Sequence, residues 1–475
     1  MDNGALTGPL AGRPLFFCGI GGSGMLPLAQ IAHGLGHPVA GSDRSRDQGR
    51  SPEKFAWMEA NGFTLFPQDG SGVTSADQVL VASAAIEDTV PEVARAKALG
   101  CARLSRAELL SRLFNATDFS VAVAGTSGKS TVTGMIAWIL AEAGHDPTVM
   151  NGAVMKNFVS SANPFASARI GGAGVFVAEV DESDGSIALY RPTVGVLLNV
   201  SLDHKSIEEL RVLFGDFVGE AGTAVINLDS AEAGYLIPRA GRKVTFGIRA
   251  KGADISVEAD SIDMSELGIR AAVVDNRRRE VFPLILPMPG LHNLSNALAA
   301  IAAASAAGIG VNHAVYALRS FKGLARRFDV IGTSRSGISV IDDFGHNPEK
   351  CAATLRTLKA TPGRVIACFQ PHGYGPLRQM GEELARTFAR ELGPNDLSIM
   401  CDPVYFGGTV DRSVGSERII ELINAAGGKA EHIPSRADCG DRIVALARPG
   451  DRIAVMGARD DTLTEFAQSI LARLP

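Results

Sequence analysis

The stretch Phe119-Ser120-Val121-Ala122-Val123-Ala124-Gly125-Thr126-Ser127-Gly128-Lys129-Ser130-Thr131 decides the fold class of this chain. An apolar run of strand length ends in a glycine turn, and a helical pattern follows at once. Val132, Met135, Ile136, Ile139, Leu140 and Ala143 recur at spacings of three and four, the period of an amphipathic helix. Strand, glycine turn and helix in that order build a phosphate-binding loop. Its glycines let backbone N–H groups turn toward a phosphate chain, and the helix N-terminus favours negative charge. Gly125, Thr126, Ser127, Gly128 and Thr131 form the cradle, Lys129 is placed to neutralise β- and γ-phosphates, and the Ser130 hydroxyl to reach Mg²⁺. The eight-residue nucleotide pattern asks for glycine at position 123, where this chain has Val123, so the loop is a short variant.

Downstream, Glu179, Asp181, Glu182 and Asp184 cluster where the strand-like run Val175–Val180 ends. Ligands of open α/β sheets bind at strand carboxyl ends, and Mg²⁺ takes few protein oxygens, so Glu179 is a candidate metal ligand. The pair Asp203-His204 follows the next run, Val194–Val200, and adds His204 as a second candidate. Upstream, Gly19-Ile20-Gly21-Gly22-Ser23-Gly24 follows the apolar run Leu15–Cys18, with Asp43 19 positions beyond Gly24. That is the dinucleotide fingerprint. It admits two readings, an NAD-dependent dehydrogenase or a fold that holds another diphosphate with the same device. A phosphate loop and an acidic cluster have no part in hydride transfer, which favours the second.

Strand and helix patterns alternate along three blocks, about residues 12–117, 118–322 and 323–475, as expected of parallel, helix-covered sheets. Short strand signals between about 250 and 287 point to a small antiparallel insertion in the middle block. Strands expected at Ile338–Phe344, Val365–Gln370, Leu397–Cys401 and Arg452–Met456 give a second doubly wound domain.

The 475 residues are 46% hydrophobic and 20% charged, with net charge −5, a balance that gives no reason to expect nucleic acid or an acidic membrane as partner. Six cysteines lie at positions 18, 101, 351, 368, 401 and 439 without a Cys-x-x-Cys pair, so neither a zinc site nor a disulfide framework is expected. No basic segment followed by a long apolar core opens the chain, and Ala297–Ala307 is too short to span a bilayer; a cytoplasmic location is expected.

Taken together, these motifs resemble the Mur ligase family over nearly the whole chain. Gly19–Met25, with Ser42-Asp43, is similar to the family's UDP-binding turn, and Ser83-Ala84-Ala85-Ile86 to a second loop facing the uridine nucleotide. Gly125–Thr131 resembles its short phosphate loop, and Glu179–Asp184 its E-x-D-E-S-D metal segment. Asn199 with Asp203-His204 resembles the next metal-binding turn. His292-Asn293-Leu294-Ser295-Asn296 is similar to the H-N-x-x-N segment that meets adenine. Arg326-Arg327-Phe328 resembles the joint into the last domain, and Asp342–Pro348 that domain's signature.

The resemblance implies three domains: a Rossmann-like UDP-binding domain (1–117), a central P-loop ATPase-like α/β domain (118–322) and a Rossmann-like acceptor-binding domain (323–475). It implies ATP and Mg²⁺, a UDP-N-acetylmuramate-like donor and an amino acid or peptide acceptor, joined through an acyl phosphate. Gly19, Gly21, Gly22, Ser23, Gly24, Met25, Ser42, Asp43, Ser83 and Ala84 would contact the UDP-sugar. Lys129, Glu179 and His204 would serve the phosphoryl transfer, with Ser130, Glu179 and His204 on the metal. Asn293, Asn296, Arg327 and Asp343 would hold the nucleotide, and His346 and His372 would orient the acceptor or take its proton.

Four positions depart from the alanine-adding branch, which carries His at 127 and 347 and Arg at 373 and 376; here stand Ser127, Asn347, Gly373 and Pro376. Glycine does not replace a planar, bidentate partner for a carboxylate. The acceptor is therefore left open between L-alanine, a ready-made peptide as in the recycling branch, and a ligase acting on another carboxylate. A non-catalytic nucleotide-binding protein is the remaining class.

Overall fold

The computed structural model describes residues 11–83, 86–172, 174–201, 205–266, 268–404, 411–458, 460 and 462–475. Three sheets organise them. The first is wholly parallel, in the order Thr64–Phe66, Val39–Ser42, Leu15–Cys18, Val79–Ala82, Ala102–Ser105. Every residue of Leu15–Cys18 and Val79–Ala82 is buried because helices cover both faces. Leu15 and Phe17 pack with the helices Met25–Gly34 and Arg106–Asn115. Phe16 and Cys18 point the other way, toward the helix Pro91–Leu99.

The parallel part of the central sheet runs Lys243–Phe246, Thr223–Asn227, Val194–Leu197, Phe119–Ala124, Val175–Glu179, Thr148–Met150. Ala168–Arg169 closes one edge in antiparallel fashion. At the other edge Ile255–Val257 adds in parallel and Gly268–Asp275 pairs antiparallel with it. The segment expected as a small antiparallel insertion extends the central sheet. The basic run Arg277-Arg278-Arg279 falls in the turn between Gly268–Asp275 and Glu280–Leu286.

The third sheet has the order Asp329–Thr333, Ser339–Asp343, Arg452–Gly457, Val365–Gln370, Leu397–Met400, Ala430–His432; only the first pair is antiparallel. Along Val365–Gln370 the side chains alternate between two cores. Val365, Ala367 and Phe369 meet the helices Pro348–Lys359, Tyr374–Glu391 and Ser416–Ala425, while Ile366 and Cys368 meet Arg436–Leu446 and Leu463–Arg473. No helix among the described residues is long and apolar enough to cross a membrane.

Two compact units result. One comprises Met1–Ile262, Ala271–Ile285 and Ser295–Lys322, the other Asp263–Arg270, Leu286–Leu294 and Gly323–Pro475. Within the former, the first and central sheets share a core. Phe114 is fully buried, with its ring 5.5 Å from Phe176 and 5.3 Å from Tyr190, and Asn115 Nδ2 donates to the Leu189 carbonyl at 2.8 Å. Trp57 Nε1 adds a bond to the Ala162 carbonyl at 3.1 Å. Truncating Phe114 removes the aromatic contacts that tie the two sheets. Phe114→Ala is expected to destabilise this unit by about 3–5 kcal/mol, read as a lower urea midpoint for its transition.

Candidate active site

Register brings three strand ends together. Val123 stands opposite Glu179 on one side, and Ala124 opposite Leu197 on the other, so the loop at 125–128 leaves the middle strand between them. Gly128 has φ +88°, and a Cβ there would lie 2.7 Å from Asn296 Oδ1; the turn into helix Lys129–Glu142 requires glycine. Asn296 therefore lies against the phosphate loop. Asn199, just past strand Val194–Leu197, clamps the same loop. Its Oδ1 accepts from the Ser127 amide (2.9 Å) and the Thr126 hydroxyl (2.8 Å), and its Nδ2 donates to the Ser127 carbonyl (3.0 Å).

Two charged arrangements occupy the loop's edge. Lys129 Nζ donates to the Gly125 carbonyl at 2.7 Å and to Glu182 Oε2 at 2.9 Å. Ser130 Oγ donates to Glu179 Oε2 at 2.7 Å, while Asn151 Nδ2 donates to the Ser130 carbonyl at 3.0 Å. Burial alone would raise the pKa of Asp181, but the Lys129 charge and hydrogen bonds from Ser183 outweigh it and hold the carboxyl below its ordinary value. Lys129 and Glu179 thus share one edge of the central sheet. His204 lies outside the described residues, as does Ala84.

At the first glycine loop, the amides of Gly19 and Ile20 donate to the Ser42 carbonyl at 2.8 and 3.0 Å. Asp43 closes the loop: Oδ2 accepts from the Gly21 amide and Oδ1 from the Ser45 amide, each at 2.8 Å. The fingerprint carboxylate is thereby engaged with its own backbone. Ser42 is buried and its hydroxyl donates to Glu92 Oε1 at 2.8 Å; Met25 points into the core. Gly22 and Ser23 are exposed, Gly24 is half-buried, and Ser83 is exposed at the end of strand Val79–Ala82.

In the second unit, Asp343 holds a strained joint. Arg326 and Phe328 adopt φ +60° and +47°, unusual for side chains of that size. Asp343 Oδ2 accepts from the Phe328 amide at 2.7 Å, and Oδ1 from the Gly345 amide and the Thr354 hydroxyl, both at 2.8 Å. Arg327 stacks over the Phe344 ring at 4.6 Å. Asn293 Nδ2 donates to the Pro289 carbonyl at 2.7 Å. His346 and His372 pack edge to face, ring centroids 5.2 Å apart. Burial, aided by the Lys350 charge, pushes the His346 pKa down to about 3, so the ring is neutral at physiological pH.

The substituted positions have local explanations. Asn347 caps helix Pro348–Lys359, its side chain accepting from the Lys350 amide at 2.9 Å. Gly373 has φ +138°, where an arginine would be strained, and Pro376 falls in the first turn of helix Tyr374–Glu391. Arg378 pairs with Asp411 at 2.8 Å. Asn199 as loop clamp and Glu182 as the partner of Lys129 are the contacts at the candidate site that motif reading missed. Both residues stood inside quoted motifs, but no spacing rule says which side chain meets which.

A phosphate loop at a sheet edge, with a lysine and a hydroxyl–carboxylate pair beside it, defines a nucleotide-binding α/β enzyme. Three family models match: Mur ligase family, catalytic domain (15–117); Mur ligase middle domain (123–304); and Mur ligase, glutamate ligase domain (326–459). The chain is 34% identical to the UDP-N-acetylmuramate–L-alanine ligase of Gluconobacter oxydans, covering 98% of this chain and 96% of that one. It is 33% identical to the ligase of the same name from Agrobacterium fabrum, covering 96% of each. Its fold matches the UDP-N-acetylmuramate–alanine ligase of Thermotoga maritima at 23% identity, with TM-score 0.78 over 97% of this chain and 99% of that one. A murein peptide ligase from Psychrobacter arcticus matches with TM-score 0.68 at 26% identity over 97% and 98%. The chain belongs to the Mur ligase family, and it is an ATP-dependent ligase.

Next to Asp343, Asp342 is fully buried and accepts from the Thr464 hydroxyl at 2.6 Å. Burial, with help from Asp329 and Asp343, pushes its pKa up to about 6 against the opposing Thr464 bond and Arg326 charge. The folded state therefore binds this proton more tightly than the unfolded chain. The stability it contributes is fully present below about pH 4 and is lost as pH rises through about 6. Asp342→Asn removes this dependence. Between pH 4 and 7 its stability relative to wild type is expected to rise by up to about 3 kcal/mol, measured by urea unfolding at each pH.

Proposed function

We propose that the chain joins an amino acid or peptide, through its amine, to the carboxylate of UDP-N-acetylmuramate, in the cytoplasm, during cell-wall peptidoglycan synthesis. The observation that carries this reading is the proximity of Lys129 to the Ser130–Glu179 pair on one sheet edge, in a chain related over its full length to UDP-N-acetylmuramate–L-alanine ligases. Residues 1–117 hold the UDP moiety, 118–322 bind ATP, and 323–475 receive the acceptor.

The reaction transfers the γ-phosphoryl group of ATP to the substrate carboxylate, releasing ADP and leaving an acyl phosphate. The acceptor amine attacks the acyl carbon, phosphate departs, and the nitrogen loses its proton. Lys129 exchanges its contact with Glu182 for phosphate oxygens and offsets charge on the group in transit. Asn199 accepts from the Thr126 and Ser127 amides and so fixes the conformation of the loop that carries Lys129. Neutral His346, beside His372, orients the amine.

Among the described residues no three His, Cys, Asp or Glu side chains are grouped to hold a metal. Mg²⁺ needs only one or two protein oxygens beside phosphates and water, and the donor pair Ser130 Oγ and Glu179 Oε2 fits that requirement; His204 is the further candidate ligand. When bound, the ion would neutralise phosphate charge. A peptide acceptor is the second reading, favoured by the absence of a guanidinium at 373 and 376 and by the pairing of Arg378 with Asp411.

Phosphate release from ATP with UDP-N-acetylmuramate, assayed against L-alanine, other amino acids and short peptides, tests the reading and chooses the acceptor. Lys129→Ala is expected to abolish product formation while keeping the wild-type melting temperature; near-normal turnover in that variant would remove the mechanism. Because the chain is related over its full length to UDP-N-acetylmuramate–L-alanine ligases, UDP is expected to raise the melting temperature more than NAD does. Strong stabilisation by NAD and none by UDP would restore the dehydrogenase reading.

A further inference from the structure

In helix Leu291–Ala306, Asn296 lies against Gly128 of the phosphate loop. Ser305 stands nine positions further on, about 14 Å away along the helix axis. At that end a cavity of about 270 Å³ lies between the turn that follows strand Gly268–Asp275 and the link from this helix to Val311–Ala317. Its walls are fixed by their own bonds. Arg277 forks onto the buried Asp275, Nε at 2.9 Å and Nη2 at 2.8 Å, and Nη2 also donates to Ser305 Oγ at 2.8 Å, tying the turn to the helix. Asn276 Nδ2 donates to the Ala253 carbonyl and to the Ser256 hydroxyl, both at 2.8 Å, and holds the turn against strand Ile255–Val257. The helix end is closed by the Gly308 amide on the Ser305 carbonyl and the Ile309 amide on the Ala304 carbonyl.

Asp275 and Arg277 neutralise each other, so the charges left on the cavity are those of Arg278 and Glu280. The two carry opposite signs and line the same space, yet they do not pair. Neither side chain has a hydrogen-bond or ion-pair partner among the described residues. Opposed charges that share a cavity without meeting suit a guest that brings both signs. A simple anion would be repelled by Glu280, and a simple cation by Arg278. Beside them the half-buried Phe282 and the buried Ile309 and Val311 supply an apolar wall. The volume lies just below the range of about 300–1,000 Å³ that holds drug-sized ligands, which limits the guest to a smaller molecule.

We propose that this cavity binds a free α-amino acid with an aliphatic side chain. Its carboxylate meets Arg278, its ammonium meets Glu280, and its side chain packs against Phe282 and Ile309. The site is separate from the phosphate loop, and it stands whichever acceptor the reaction uses. Both charged side chains are exposed, so water and salt screen each contact and the affinity falls in the millimolar range.

Titration of the full-length protein with L-leucine, followed by saturation-transfer difference NMR, tests this. Two analogues serve as paired probes: 4-methylpentanoate, which lacks the ammonium, and 3-methylbutylamine, which lacks the carboxylate. Wild type is expected to bind leucine at millimolar concentration and each analogue about fivefold more weakly. Arg278→Gln and Glu280→Gln should each weaken leucine binding by about fivefold, the size of one exposed charged contact. Arg278→Gln should not weaken binding of 3-methylbutylamine, nor Glu280→Gln that of 4-methylpentanoate. Both variants should keep the wild-type melting temperature, because neither side chain is buried. Wild-type protein that does not bind leucine overturns the proposal, as does an analogue that binds as tightly as leucine. Leucine affinity unchanged in either folded variant also overturns it, and places the amino acid elsewhere on the chain.

Discussion

Strand Phe119–Ala124 is fixed between two parallel neighbours, and the chemistry of the central sheet depends on that register. With Val123 opposite Glu179 and Ala124 opposite Leu197, the loop that leaves the middle strand has a carboxylate on one flank and Asn199 on the other. A slip of one residue along either pairing would turn alternate side chains to the opposite face and separate Ser130 from Glu179. Burial on both faces opposes such a slip, since Val121, Ala122, Val123 and Ala124 are all inaccessible to solvent.

Carboxylates at strand ends divide into two kinds of work. Asp43 and Asp343 are buried and accept from nearby backbone amides, Asp43 to close a glycine loop and Asp343 to hold the left-handed joint at Arg326 and Phe328. Their value is geometric: each satisfies N–H groups that would otherwise be buried without a partner. Glu179 and Glu182 instead meet the hydroxyl and ammonium that a triphosphate would contact. The first kind shapes the backbone, and the second kind holds the two groups proposed to meet the nucleotide phosphates.

Much of the architecture could be read from apolar periodicity. The strands Leu15–Cys18, Phe119–Ala124 and Val365–Gln370 fall where the apolar runs place them, because fully buried strands need uninterrupted apolar residues. The short strands Thr64–Phe66 and Ala102–Ser105 lie outside that reading. As edge strands they are partly exposed, and three or four mixed residues carry no distinctive period. The antiparallel stretch near Gly268–Asp275 was visible as strand, but its attachment to the central sheet was not, because pairing partners are distant in sequence.

By itself the sequence determined the strand–turn–helix phosphate loop, the glycine loop and the acidic segment, since these depend on residues adjacent in the chain. Tertiary structure decided that Lys129 meets Glu182, that Asn199 clamps the loop, and that Asp43 and Asp343 serve their own backbones. The physical reason is register and packing. Residues 53 positions apart, as Lys129 and Glu182 are, become neighbours only once parallel strands align and helices settle on their faces.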